Sequence, residues 1–174
     1  MIATSTTLLD FLKETRAHSE TICKPLQIED YVVQPIVDVS PPKWHLGHTT
    51  WFFEDFILKK HKSDYQEYNS NFSFVFNSYY ESMGARVVRT DRGNLSRPTV
   101  EEVYAYRKHV THHLKELLEQ TEASEELQSL IEIGIHHEKQ HQELLLTDIK
   151  YILGNNPLQP MYTSDFSEYT PSEN

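Results

Sequence analysis

The stretch from Ser124 to Leu153 constrains the fold most, because it reads as one long amphipathic helix. Leu127, Leu130, Ile131, Leu145, Ile149 and Ile152 recur at helical spacing and form a single apolar stripe. His137 and His141 fall along one side of that stripe, and Glu138 and Asp148 lie within it. A helix this long cannot bury its stripe alone, so it requires partner helices. Two histidines four residues apart sit one turn above the other and can grip one ion. Burying both without an ion would leave polar ring nitrogens in want of partners.

Three further segments supply the partners. The first runs from Thr7 to Cys23 and opens with Leu8, Leu9, Phe11 and Leu12. The second begins at Ser40-Pro41-Pro42, a cap residue followed by prolines that suit a first turn. It continues through Trp44, Leu46, Trp51, Phe52, Phe53, Phe56, Ile57 and Leu58. The third starts at Pro98-Thr99, where Thr99 and Glu102 make a capping-box pattern, and runs to about Gln120. Gly154-Asn155-Asn156-Pro157 closes the fourth.

No strand pattern appears, so the expected class is all-α, an antiparallel four-helix bundle. Residues 63–97 form a long, partly irregular insertion between the second and third helices. Unstructured loops of that length often carry function. The bundle domain is expected over residues 1–156, with 157–174 a polar tail or linker toward a further C-terminal domain.

The chain has 174 residues, 38% of them hydrophobic, enough for one domain with a real core. Its net charge of -10 argues against nucleic-acid binding, which needs a basic surface. The run Lys59-Lys60-His61-Lys62 reads instead as the cationic end of a helix. No apolar stretch is long enough for a membrane span, and no signal-peptide pattern opens the chain. Cys23 is the single cysteine, so no internal disulfide forms, and a cytoplasmic location is expected.

Helical phase sorts the ten histidines. His136 points away from the apolar stripe. His109 and His113 are also four apart, yet they lie off the stripe of Val103, Val110, Leu114 and Leu117 and read as solvated, as does His112. In the second helix His48 aligns with Trp44, Trp51 and Asp55, while His45 is one turn earlier and offset. Phase alone leaves His45 and His48 both open as a third ligand. His137-Glu138-Lys139-Gln140-His141 also fits the zinc-peptidase string H-E-x-x-H, with Glu138 as general base. No histidine follows His141, and no strand precedes the helix to bind a peptide, so that reading is set aside.

Longer strings carry more information. Ser40-Pro41-Pro42-Lys43-Trp44-His45-Leu46-Gly47-His48-Thr49-Thr50-Trp51-Phe52-Phe53-Glu54 resembles the signature of the N-terminal, DinB-like domain of ergothioneine-biosynthesis sulfoxide synthases. Phe76-Asn77-Ser78-Tyr79-Tyr80-Glu81, Arg92-Gly93-Asn94-Leu95-Ser96-Arg97-Pro98-Thr99, the run from His137 to Leu144 and the exit Asn156-Pro157-Leu158 fit the same family. The similarity spans about residues 40–158.

The resemblance implies a DinB-like four-helix bundle and a non-haem iron(II) centre held by His48, His137 and His141. It thereby chooses His48 over His45. It implies oxygen-dependent carbon–sulfur bond formation between a small thiol and N-trimethylhistidine, giving a sulfoxide. Arg86 and Arg89 resemble the arginine pair that binds the thiol's carboxylates, a task suited to guanidinium. The family's enzymes also carry a C-terminal domain resembling formylglycine-generating enzymes, which supplies a catalytic tyrosine. Full activity is therefore expected to need such a domain or partner, and no catalytic residue is assigned within this chain. Two alternatives remain: a standalone DinB-like thiol transferase using zinc or nickel, and a non-enzymatic metal-binding module.

Overall fold

The computed structural model describes residues 5–78, 85–120 and 123–164. Tyr79, Tyr80, Glu81, Gly84 and the tail from residue 165 onward lie outside the described residues. All regular structure among the described residues is helical, as the periodicity predicts. The long helices are α1 (Ser5–Cys23), α2 (Pro42–Phe53), α5 (Val100–Gln120) and α6 (Glu125–Gly154). Helix α2 runs on through a π-helical turn (Glu54–Leu58) into a last short turn, α3 (Lys59–His61). A short helix α4 (Phe72–Phe76) and a 3-10 segment (Arg89–Asn94) give the 63–97 insertion more regular structure than its composition suggests. Another 3-10 turn (Ile28–Val32) links α1 toward α2.

Local chemistry sets the helix ends. The Thr99 backbone N–H donates to Glu102 Oε2 at 2.6 Å and the Glu102 N–H to Thr99 Oγ1 at 3.1 Å, completing the capping box. Ser124 Oγ accepts from the Leu127 N–H and starts α6. Helix α1 packs on α6 and α5, and α2 packs on those same two, so the four long helices touch in a closed ring.

Every residue of α2 is buried, the polar Lys43, His45, His48, Thr49 and Thr50 included. Close approach to α2 depends on glycine. A Cβ at Gly47 would lie 2.1 Å from the Phe76 ring, and one at Gly134 would lie 2.5 Å from the Phe53 ring.

The core also holds ions. Glu138, fully buried on α6, accepts from Arg107 Nη2 at 2.8 Å, Arg16 Nη1 at 2.9 Å and Ser19 Oγ at 2.7 Å. Arg16 also donates to Thr50 Oγ1, and Arg107 to the Leu46 carbonyl. One polar network thus joins α1, α2, α5 and α6.

Two carboxylates of the π turn anchor the insertion. Glu54 accepts from the Tyr65 and Tyr106 hydroxyls and the Tyr68 N–H. Asp55 accepts from Trp51 Nε1, Ser73 Oγ and the Lys59 ammonium. Beyond Pro157, Tyr162 donates to the Ile22 carbonyl at 2.6 Å, pinning the described start of the tail against the end of α1.

Candidate metal centre

Helix α2 presents His48 while α6 presents His137 and His141 one turn apart. One ligand nitrogen from each of these three lies within 4.8 Å of the others. Three imidazole nitrogens gathered this closely are of the number and kind that a divalent ion takes from a protein. His48 stacks on Trp44 with centroids 4.6 Å apart and also lies flat against Trp51 at 5.5 Å.

The hydrogen bonds decide which nitrogens remain for an ion. His48 Nδ1–H donates to the Phe76 carbonyl at 2.6 Å, so its Nε2 carries the lone pair. Phe76 is held by its packing on Gly47 and Phe72. His137 Nδ1 is buried with no hydrogen-bond partner among the described residues, a cost that an ion bound at this atom would remove. His141 Nδ1 lies 2.9 Å from His45 Nδ1, and His45 Nε2 lies 2.8 Å from Asp148 Oδ2.

Burial disfavours the charged form of every ring here. It holds His137 down at about 4, against a small opposing pull from Glu138. His48 and His141 are held far below the ordinary imidazole range, by burial first and then by neighbouring histidines. His45 is lowered by burial despite its Asp148 partner. All these rings are neutral at pH 7, the state in which imidazole ligates metals. The residues present therefore fit a divalent ion.

A cavity of about 390 Å³ opens beside the three rings. Trp44, Arg89, Arg92, Gln140 and Leu144 form part of its wall. Arg92 lies flat over Trp44 at 3.4 Å and donates to Ser40 Oγ at 2.8 Å. Arg89 donates to the Asp38 carbonyl at 2.7 Å. Of the two arginines singled out in the sequence, Arg89 reaches the cavity wall and Arg86 does not.

The other sequence candidates separate cleanly. Glu138 faces the α1–α5 side, where burial would push its carboxyl up but Arg107 and Arg16 outweigh it and hold it at about 2. A carboxylate engaged by two guanidiniums is a poor general base, so the H-e-x-x-H peptidase reading loses its catalytic residue. His109 and His113 lie half-exposed, ring against ring at 4.5 Å, and His112 is exposed. His136 is exposed as expected. His45 is buried beside the cluster without being part of the three-histidine group. Arg92 carried no assigned role in the sequence, although it opens one of the family-like strings.

A family model for the DinB superfamily matches residues 12–145. The chain belongs to the DinB superfamily. The match runs from α1 to the middle of α6, so this DinB-superfamily domain includes the whole three-histidine cluster. No curated protein matches the chain significantly.

Proposed function

We propose that His48, His137 and His141 hold one iron(II) ion and that the chain is the non-haem iron domain of an ergothioneine-type sulfoxide synthase. In this reading the four long helices form the antiparallel bundle that carries the site. The observation that supports the metal site is the convergence of three neutral imidazoles, His48 buried and His137 and His141 partly so, beside a cavity lined by guanidiniums. The specific reaction is supported by the family-like strings around His48, Asn77, Arg92 and His137. The substrates are a small thiol, N-trimethylhistidine and oxygen, with full activity requiring a second domain or partner.

Three imidazoles leave the ion its full charge and open positions, so the ion supplies thiolate binding and oxygen chemistry. The chain's own side chains do the rest. Trp44 and Trp51 flank His48 and keep water from that ligand. Arg89 and Arg92 bring positive charge to the cavity wall, where a substrate carboxylate would be favoured. Arg86 does not line the cavity here and is assigned to the same carboxylate by the family resemblance alone.

A second reading keeps the same ligands with zinc or nickel, in a thiol transferase. An all-imidazole set suits zinc as well, and membership of the DinB superfamily does not separate the two.

The test is a thiol titration of the cobalt(II)-substituted chain. Cysteine or gamma-glutamylcysteine is expected to produce a sulfur-to-cobalt charge-transfer band, weakened in Arg89→Gln. Absence of the band with both thiols rules out a thiol site. Retention of zinc or nickel in preference to iron, with the band present, moves the second reading ahead.

A further inference from the structure

We infer that Asp148 and His45 form a positioning relay that sets the tautomer of His141 and turns its Nε2 lone pair toward the three-histidine centre. His45 stands on α2 one turn before His48, with only 3% of its surface exposed. Its two ring nitrogens are both engaged. Nε2 lies 2.8 Å from Asp148 Oδ2 and Nδ1 lies 2.9 Å from His141 Nδ1.

Hydrogen counting fixes the order. A carboxylate only accepts, so the first contact requires a hydrogen on His45 Nε2. A neutral ring carries one such hydrogen, so His45 Nδ1 is then an acceptor. The second contact forms only if His141 donates from Nδ1. That leaves His141 Nε2 with its lone pair exposed to the cluster. Two neutral rings and one carboxylate admit no other assignment.

Asp148 is itself held in place. Its Oδ2 also accepts the Ser40 backbone N–H at 2.9 Å, at the entrance to α2. The relay therefore ties the start of α2 to a ring on α6. His48 receives the same treatment by another route, through the Phe76 carbonyl. Two of the three rings are thus oriented from behind, as metal-ligating imidazoles commonly are. His45 acts through His141 and is a positioning residue.

This inference rests on the proposed metal reading for its purpose, but its geometry is testable without metal. The first measurement is the ¹⁵N–¹H long-range spectrum of histidine side chains in the metal-free full chain at neutral pH. His141 is expected to carry its proton on Nδ1. A proton on Nε2 overturns the relay.

The second measurement is zinc affinity, by competition with a chromophoric chelator. Asp148→Leu removes the acceptor that keeps the hydrogen on His45 Nε2 and so leaves the order of the chain unset. His45→Phe removes the acceptor and keeps the volume. Both are expected to bind zinc about 10–100-fold more weakly. His45→Asn places a carbonyl near the former Nδ1 and is expected to recover most of the loss. Equal zinc affinity in His45→Phe and the wild type overturns the relay. Should the wild type bind no zinc, iron or nickel, the metal reading fails, and the spectrum still decides the relay by itself.

Discussion

Replacing Glu138 with glutamine keeps the side-chain shape and removes its charge. Arg107 and Arg16 would then stay buried with their common anion gone. Both guanidiniums lie within 2.9 Å of the Glu138 oxygens, and none of the three side chains is more than 3% exposed. Glu20, 3.3 Å from Arg107 Nε and half-exposed, is a weak replacement. Removing one member of a buried ion pair costs about 3–5 kcal/mol. The proton equilibrium gives a similar figure: a carboxyl held at about 2 instead of 4.5 corresponds to about 3 kcal/mol of stability.

The sign follows from the lowered pKa. The contribution is fully present above pH 4.5 and fades as pH falls toward 2. Urea unfolding of metal-free wild type and Glu138→Gln should therefore differ by about 3–5 kcal/mol at pH 7. The gap should narrow measurably by pH 3.5. Metal must be absent, since an ion bound only to the native state adds stability of its own. A gap under about 1 kcal/mol at pH 7, or one that does not change with pH, would refute the ion network as a fold determinant. It would also return Glu138 to the candidates for a base beside His137.

Other expectations follow from the same contacts. Gly47→Ala drives a Cβ into the Phe76 ring and should cost about 1–3 kcal/mol in thermal or urea unfolding. It should also weaken metal binding, because Phe76 carries the carbonyl that orients His48; unchanged affinity would deny that link. The buried neutral histidines make the metal-free chain acid-sensitive. His137, at about 4 when folded and 6.5 when unfolded, contributes stability that is lost as pH falls from 6.5 toward 4. A melting temperature that stays level from pH 7 to pH 4.5 without metal would contradict this. Tyr106→Phe removes a 2.5 Å hydrogen bond to buried Glu54 and should destabilise by about 1.5–3 kcal/mol in the same unfolding assay.

The sequence reveals the parts of this protein that are written in local period. The apolar stripe of α6, the Thr99–Glu102 capping box and the His137–His141 spacing all depend on neighbours within a few turns. Each of these appears in the structure. The features that escaped depend on partners far along the chain. Arg107 falls in phase with Val103, Val110 and Leu114 on α5, but nothing local says what meets it there, and only the fold brings it to Glu138 and Arg16. The insertion looks irregular because its order comes from Glu54 and Asp55, not from its own pattern.

The His45–His48 ambiguity has the same origin. Both face the core, and the difference lies in what stands behind each ring: Asp148 for His45, the Phe76 carbonyl for His48. Phase cannot see either partner. The family-like string chose His48, and the three-histidine group contains it.

The central claim is that three imidazoles bind one ion, and metal content tests it most directly. The chain should be purified without oxygen and analysed for iron, zinc and nickel beside His48→Ala, His137→Ala and His141→Ala. The account predicts close to one iron(II) per wild-type chain and severe loss in each variant, with His113→Ala unaffected. A folded wild-type chain that holds no metal, or that keeps its ion when all three histidines are replaced one by one, would contradict it.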